Sequence, residues 1–310
     1  MKRLLKYTLI LMAAALSLPS CLVHEYPQGE TDVEVTLHLQ FPPEMIPYKT
    51  VTRAEEEGSL MQIRYLVKAY LYSGDAWDAV PRQELTLYGD ASSALDRDVS
   101  MILPAGKYRF SVWTDYTDEE GGNLFWDADN MDKVSIIAPY QGNPACREAF
   151  CGREILDFSA LNASGQRVDK DVPMTRPLAR YELVANDKEE FFTKFSKSGQ
   201  GNTKAAYDLS GYFVRIDYRY FLPSVYDVRR DVNVDSRTGA YFTVPVYERD
   251  GEVVMAHDFV LAGDEETSVV IDMTLFDDKG VNLGTVAGIQ GPLVRGGITT
   301  VRGTLLTDGT

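Results

Sequence analysis

The sequence predicts an all-β protein that contains two tandem β-sandwich domains with one or two short helices. Apolar and polar residues alternate along many short segments, which is the pattern of strands with one buried face. Turn sequences such as "DSRTG", "ERDGE" and "DDKG" separate these segments. Only "NDKEEFFTKFSK" at 186–197 has a clear helical pattern. Short strands at this spacing are typical of β-sandwiches.

The first half contains the most regular strand pattern, "TDVEVTLHLQF" at 31–41. Its apolar face consists of Val33, Val35, Leu37, Leu39 and Phe41. "QIRYLVKAYLY" at 62–72 alternates less cleanly and predicts a more central strand. "DVSMILPAGKYRFSVWTDY" at 98–116 predicts two strands joined by a tight turn at 104–106. From about 117 to 153 the pattern weakens, which predicts a long acidic loop.

The second half begins at Pro173 and Pro177, which lead into a predicted strand at 178–185. Asp187 is positioned to cap the predicted helix. Further strands are predicted at 212–222, 240–247, 253–262, 267–277 and 298–307. We therefore expect an N-terminal β-sandwich domain at 32–172 and a C-terminal β-sandwich domain at 173–310.

The first twenty residues have the pattern of a bacterial secretory leader. Basic residues at 2, 3 and 6 precede an apolar run at 7–18, which is too short to span a bilayer. "LPSC" at 18–21 resembles a lipobox, in which the cysteine is acylated and becomes the first residue of the mature chain. The pattern predicts a signal peptide at 1–20, lipidation of Cys21 and a lipidated leash at 21–31. The alternative is an ordinary leader that is followed by a chance cysteine.

The acidic composition limits the classes of partner that the protein is expected to bind. The chain carries a formal net charge of −15, and removal of the three basic leader residues brings it to −18. Such acidity argues against binding to nucleic acid or to anionic membrane surfaces, so the only predicted membrane contact is the lipid. Hydrophobic residues make up 45% of the chain, which is enough for packed cores.

Two further cysteines, Cys146 and Cys151, occur in "CREAFC". An exported protein meets oxidising conditions, so they form a candidate disulfide, with two separate thiols as the alternative. Two cysteines without a nearby histidine cannot complete a zinc site.

Motifs for catalysis or for metal binding are weak. His257 and Asp258 are neighbours on a predicted strand and should point to opposite faces, so they make a poor catalytic dyad. Two acidic loops could suggest calcium, but the first lacks the glycine and glutamate of an EF-hand and both fit solvated turns better. Their residues are Asp231, Asn233 and Asp235 in the first loop, and Asp127, Asp129 and Asp132 in the second. The sequence predicts no enzyme, no cofactor and no metal.

Three tryptophans, Trp77, Trp113 and Trp126, could stack on sugars. Aromatic residues on strands more often belong to a core or to a sheet surface.

The order of several motifs resembles a known family. A lipobox leader and an alternating strand are followed by "TRAEEEGSLMQIRYLVKAYLY", "LPAGKYRFSVWTDY", "MTRPLARYELVAND" and "TTVRGTLLT". This order is similar to that of the fimbrillin-like lipoproteins of Bacteroidetes, the type V pilus components and their anchor-type relatives. The resemblance implies two transthyretin-like β-sandwich domains and pairing with other fimbrial subunits through exchanged strands.

The resemblance also implies a candidate processing site. Stalk subunits of that family are trimmed after a basic residue, and Arg53 lies where such trimming would occur, although an ordinary exposed arginine fits the same position. Trimming would remove the strand at 31–41, which makes its five apolar residues a candidate strand-exchange edge. Anchor subunits keep both the strand and the lipid.

The predicted function is therefore that of a lipid-anchored surface protein of the outer membrane. It would act as a fimbrial, type V pilus-like subunit or anchor, by strand pairing and without catalysis. The alternative is an outer-membrane-associated lipoprotein that captures a glycan or protein ligand.

Overall fold

The computed structural model describes residues 31–42, 61–90, 95–162, 164–197, 208–263 and 266–308. Cys21 and Arg53, with the predicted signal peptide and leash, lie outside the described residues.

The structure is all-β, as predicted. In the first half the strands are β1 (Asp32–Gln40), β2 (Met61–Ser73), β3 (Ala76–Trp77), β4 (Gln83–Asp90), β5 (Arg97–Pro104), β6 (Lys107–Asp118), β7 (Trp126–Asp127), β8 (Val134–Ile136), β9 (Ala149–Asp157) and β10 (Gln166–Pro173).

The second half contains ten further strands and one α-helix among the described residues. The helix α1 spans Lys188–Lys197, and a short 3-10 helix at Ala145–Arg147 precedes β9 in the first half. The strands are β11 (Leu178–Ala185), β12 (Phe213–Tyr218), β13 (Leu222–Asp227), β14 (Val232–Arg237), β15 (Tyr241–Pro245), β16 (Tyr247–Arg249), β17 (Glu252–Leu261), β18 (Ile271–Phe276), β19 (Asn282–Ile289) and β20 (Ile298–Gly303).

Two pairs of sheets form two hydrophobic cores. In the first half the sheet β10-β1-β5 lies with a larger sheet in the order β3-β2-β6-β9, and β4 pairs with β2 beside β3. In the second half the sheets are β16-β17-β11-β20 and β15-β12-β18-β19. One core contains the inner faces of β1, β2, β5 and β6, and the other those of β11, β12, β17 and β18. The alternating strands therefore place their apolar side chains inside two sandwiches.

A fifth sheet in the described part joins the two halves. Its order is β14-β13-β8-β7, so that two short strands of the first half pair with a hairpin of the second. This joining sheet covers the outer face of β6, where Trp113 packs edge-to-face on Trp126 with ring centroids 5.8 Å apart. From Phe110 to Thr117 both faces of β6 are therefore buried, one in the sandwich core and one beneath the joining sheet.

The joining sheet corrects the prediction of a long loop from about 117 to 153. That segment contains β7, β8 and the start of β9. Strands of two and three residues are too short to show a period of two, so periodicity could not reveal them.

Two other predictions in the second half are also corrected. The predicted strand at 212–222 is two strands, β12 and β13, separated by residues 219–221 with Tyr220 and Phe221 exposed. Asp187 lies just before α1, but its carboxylate accepts hydrogen bonds from the backbone N–H groups of Leu306 and Thr307. It thereby fixes the last turn of the described chain beside the helix. No helix in the described ranges is long and apolar enough to cross a membrane.

Candidate functional sites: the first strand and the junction of the halves

The first strand lies in the middle of its sheet. β1 runs antiparallel to β5, where Val35 faces Met101, and parallel to β10, where Val35 faces Val168. The predicted strand-exchange edge is therefore corrected, because β1 has hydrogen-bonded neighbours on both sides and is not an edge strand. Its loss would open two edges, one on each neighbour, instead of one.

The inner face of β1 is entirely apolar. Val33, Val35 and Leu37 are 0% exposed and Leu39 is 1% exposed, as the alternation predicted. Phe41 lies just beyond the strand, is partly buried, and packs edge-to-face on Phe150 with ring centroids 5.3 Å apart. Full burial of such side chains is worth about 1.5–3 kcal/mol each.

The outer face of β1 carries only exposed polar pairs. Thr36 Oγ1 lies 3.1 Å from Ser100 Oγ on β5, and Arg167 Nη2 on β10 donates to Glu34 Oε2 at 2.9 Å. Exposed ion pairs contribute about 0–1 kcal/mol each. The apolar inner face therefore provides most of the side-chain energy that retains β1.

The candidate disulfide is not formed, and both Cys146 and Cys151 are buried thiols. Cys146 belongs to the short 3-10 helix, whereas Cys151 lies on β9 with its Sγ 3.8 Å from Thr175 Oγ1. Burial raises the pKa of Cys151, which disfavours the thiolate that would form a disulfide. The thiol of Cys151 packs at the junction of the two halves.

A buried ion pair joins the halves close to the joining sheet. Arg147 Nη1 donates to Asp258 Oδ1 at 2.9 Å, and the two side chains are 1% and 0% exposed. Asp258 Oδ2 also accepts hydrogen bonds from Tyr140 at 2.6 Å and from Tyr218 at 2.7 Å. Desolvation opposes the charge on Arg147, but Tyr140 and Asp258 outweigh it and raise the pKa of the guanidinium. Asp258 is thus the shared acceptor of groups from both halves.

His257 and Asp258 have different neighbours, as expected for adjacent residues on a strand. His257 lies opposite Glu182 on β11, and its Nδ1 is 3.5 Å from the Tyr247 hydroxyl. Burial, with Arg180 nearby, lowers the pKa of His257 to about 4, although Glu182 opposes this shift. The two residues do not form a catalytic dyad.

A second set of polar contacts between the halves centres on Asp231. Its carboxylate forms ion pairs with Arg153, whose Nη2 lies 2.7 Å from Oδ2, and with Arg295, whose Nη2 lies 2.8 Å from Oδ1. The Tyr226 hydroxyl donates a hydrogen bond to Oδ1. Burial alone would raise the pKa of Asp231, but the hydrogen bonds from Arg295 and Tyr226 outweigh it and lower the pKa. This loop residue therefore acts as an anion between arginines.

The other residues of the two acidic loops have separate partners. Asn233 donates to the Leu261 carbonyl at 3.3 Å, whereas Asp235 accepts from the Ser236 backbone. In the second loop Asp127 accepts from the Asp129 backbone at 3.3 Å, and Asp132 pairs with Arg229. Across the described ranges, no three or more His, Cys, Asp or Glu side chains are grouped so that they could hold a metal ion.

The three tryptophans divide into two environments. Trp113 and Trp126 are 0% and 1% exposed beneath the joining sheet and cannot reach a ligand. Trp77, on β3, lines an open cleft of about 590 Å³, which we call the junction cleft. The cleft is lined by Trp77, Arg109, Cys151, Gly152, Arg153, Glu154, Ile155, Pro173, Thr175, Arg229 and Asp231.

Sequence reasoning missed the residues that join the halves. Arg147 and Asp258 are distant in sequence, and no spacing could relate them. An aspartate within the apolar run "VVMAHDFVLA" was the available signal, because a buried carboxylate requires a partner.

Comparison with known protein families assigns the chain to one of them. The sequence profile of a family of unknown function, DUF6562, matches residues 28–310. The chain belongs to this family. Its description assigns no function, and no curated protein matches the chain in sequence. The resemblance to fimbrillin-like lipoproteins stays a prediction.

Several solved structures have a partly similar backbone. A candidate adhesin from Bacteroides ovatus is 13% identical, with a TM-score of 0.41 and 87% of each chain covered. The fimbrial anchor protein Mfa2 from Porphyromonas gingivalis is 10% identical, with a TM-score of 0.41 and 83% of this chain and 82% of that chain covered. A candidate cell adhesion protein from Bacteroides eggerthii is 14% identical, with a TM-score of 0.40 and coverage of 92% and 90%.

Proposed function

We propose that this protein is a cell-surface fimbrial component of the anchor type, which assembles with other subunits by strand pairing and has no catalytic role. The observation that carries the proposal is the position of β1 in its sheet. This strand lies between β5 and β10, and its inner face is apolar from Val33 to Leu39. The lipobox-like "LPSC" supports attachment to the outer membrane through Cys21.

The setting of β1 defines what a replacement strand must be. It would run antiparallel to β5 and parallel to β10, and it would carry apolar side chains at alternating positions. Such a strand supplies ladder hydrogen bonds to both neighbours and fills the slot between the sheets. Any subunit strand with this pattern could take the place of β1, whatever its exact sequence.

The energetic cost of removing β1 favours the anchor role. Four fully buried apolar residues at about 1.5–3 kcal/mol each, with Phe41 in addition, approach a domain's net stability of about 5–15 kcal/mol. Cleavage after Arg53 would also separate the folded domains from a lipid at Cys21. We therefore propose that the mature protein keeps residues 21–53 and donates or accepts strands elsewhere.

The test is the N-terminus of the protein isolated from cells, determined by mass spectrometry. We expect an acylated Cys21 and no chain that begins at Ala54. A Cys21→Ala variant should no longer partition into detergent. A mature chain that begins at Ala54 would overturn the anchor role and place the protein among the polymerising subunits.

Strand exchange itself is tested with a chain that begins at Ala54 and a synthetic peptide of residues 31–42. We expect the peptide to restore the thermal transition of the first sandwich, because it supplies the missing inner face. A matched peptide with Leu37→Asp should fail. Equal rescue by both peptides, or by neither, would contradict strand exchange.

A further inference from the structure

β9 is the last strand of its sheet, and part of its outer edge is open. At Cys151 that edge is closed, because Cys151 and Thr175 exchange two backbone hydrogen bonds of 2.8 Å. Every second residue of an antiparallel strand points its backbone groups to the same side. Arg153, Ile155 and Asp157 therefore point theirs away from β6, as Cys151 does. Those of Arg153 and Ile155 have no backbone partner among the described residues, so this edge can pair with another strand.

An exposed apolar side chain lies at the middle of the open edge. Ile155 is 51% exposed on the outer face of β9. On the side of β6 it lies opposite Arg109, whose Cζ is 4.9 Å from the Trp77 ring centroid. A second apolar side chain can therefore reach Ile155 only from the free edge. The junction cleft of about 590 Å³, which Arg153 and Ile155 line, leaves room there for an added strand.

Opposite charges flank Ile155 at equal spacing. Arg153 precedes it by two residues and Asp157 follows it by two, and all three are on the exposed face of β9. Arg153 already pairs with Asp231, but its guanidinium has five N–H donors and can contact a second carboxylate. The side chain and the backbone N–H of Ser159 donate to Asp157 Oδ1 at 2.6 and 3.2 Å. These hydrogen bonds lower the pKa of Asp157 and favour its anionic form.

We infer that β9 pairs antiparallel with β9 of a second copy of this chain, about a two-fold axis at Ile155. In this register Ile155 of each copy lies opposite Ile155 of the other, and each Arg153 lies opposite Asp157 of the other copy. Each opposed pair exchanges two backbone hydrogen bonds, and opposite charges on facing strands attract. The edge is therefore self-complementary, which a two-fold interface requires.

Other registers of the same edge are less favourable. An axis at Arg153 would oppose two arginines and would need the edge at Cys151, which Thr175 already occupies. An axis at Asp157 would oppose two carboxylates, and an axis at residue 154 or 156 would place Ile155 opposite a charged side chain. The bridge at Cys151 and the turn at 159–160 limit the pairing to residues 153–157 of each copy. So short an interface predicts a weak dimer.

Pairing through β9 does not depend on the proposed function. β1 belongs to the other sheet of the first sandwich and keeps its two neighbours whether or not the copies pair. Two copies held by lipids at one membrane surface would meet more often than copies in solution, which favours a weak contact. The failure of this inference would leave the N-terminal test of the anchor role unaffected.

Sedimentation equilibrium of the mature chain from Leu22, at concentrations up to millimolar, tests the dimer. We expect reversible dimerisation that weakens by about tenfold or more in Ile155→Asp, because a charge on the two-fold axis faces its own copy. Asp157→Arg should also weaken it, since it opposes two arginines. Ile102→Asp is the matched control and should dimerise like the wild type. Ile102 is 62% exposed on β5, an edge strand of the other sheet.

Oxidative cross-linking locates the axis independently of these charged variants. Opposed residues of a hydrogen-bonded antiparallel pair have Cα atoms about 5.5 Å apart, which a disulfide can span. Ile155→Cys should form a disulfide-linked dimer. Ile102→Cys should stay monomeric, as should the wild type, whose Cys146 and Cys151 are buried.

Three outcomes would overturn the inference. They are a monomer at millimolar concentration, dimerisation that is equal in Ile155→Asp and in the wild type, and cross-linking of Ile102→Cys to the same extent as Ile155→Cys. Both isoleucines are exposed, so all four variants at these positions should fold like the wild type, and thermal unfolding followed by circular dichroism checks this.

Discussion

The first strand and the junction of the halves are held by opposite kinds of interaction. β1 is retained by an apolar inner face, and its polar contacts are exposed pairs of small value. The junction depends on Asp258, a fully buried carboxylate that binds Arg147, Tyr140 and Tyr218. Apolar burial combined with backbone ladder hydrogen bonds, which any strand can make, tolerates substitution by a similar strand, whereas a buried network of side chains tolerates little change in geometry.

This difference separates an exchangeable contact from a permanent one. A strand from another subunit needs only alternating apolar side chains to replace β1. No such simple pattern could replace the network around Asp258, because each of its members must be present at hydrogen-bonding distance. The two halves should therefore stay joined even in a truncated chain whose β1 slot is empty or is refilled by a peptide. The variants below test this distinction.

Leu37→Asp should have the largest effect. The change removes a fully buried side chain and places a carboxylate in the first core, so we expect a loss of about 5 kcal/mol or more. Chemical unfolding followed by circular dichroism measures it. Thr36→Asp is the control, because Thr36 is on the outer face of the same strand. Similar unfolding midpoints for both variants would show that the inner face of β1 does not retain it.

Asp258→Ala should rank second, with a loss of about 3–5 kcal/mol, because Arg147 would remain buried without its counter-charge. Glu252→Ala, which breaks the exposed pair with Arg302, should change stability by about 0–1 kcal/mol. Replacing both partners, in Arg147→Met with Asp258→Leu, should cost less than Asp258→Leu alone. Equal losses in the single and double variants would mean that the ion pair does not hold the junction.

The pH dependence of stability tests a third buried group, His257. Its pKa is lowered from 6.5 to about 4 in the folded chain, so the unfolded chain binds the proton more readily. The stability from this group is complete above pH 6.5 and is lost as the pH falls toward 4. The shift corresponds to on the order of 3 kcal/mol. Urea unfolding at pH 7 and 4.5 should show that the free energy of unfolding falls more on acidification in the wild type than in His257→Gln. Equal decreases in both proteins would contradict burial of a neutral imidazole.

The sequence was sufficient to predict a strand and its buried face where the strand is long and only one of its faces is buried. The alternation at 31–41 predicted the buried face of β1, and the strand at 178–185 coincides with β11. It was insufficient to predict contacts between side chains that the pairing of several strands brings together. Trp77 and Arg109 meet because β3 and β6 both pair with β2, a relation that neither local sequence contains. Arg147 and Asp258 likewise meet only through the arrangement of the two sandwiches.

Reduction should have the smallest effect, and it tests whether a covalent link supplements either kind of contact. Because Cys146 and Cys151 are both buried thiols, a reducing agent should shift the melting temperature by less than about 2 °C. Cys146→Ser should behave alike with and without the reductant, and alkylation under denaturing conditions should label both cysteines of the untreated wild type. A pair that resists alkylation until it is reduced would reinstate the disulfide. Even then the small loop that it closes would limit the entropic stabilisation, so the apolar slot and the polar junction would still hold the molecule together.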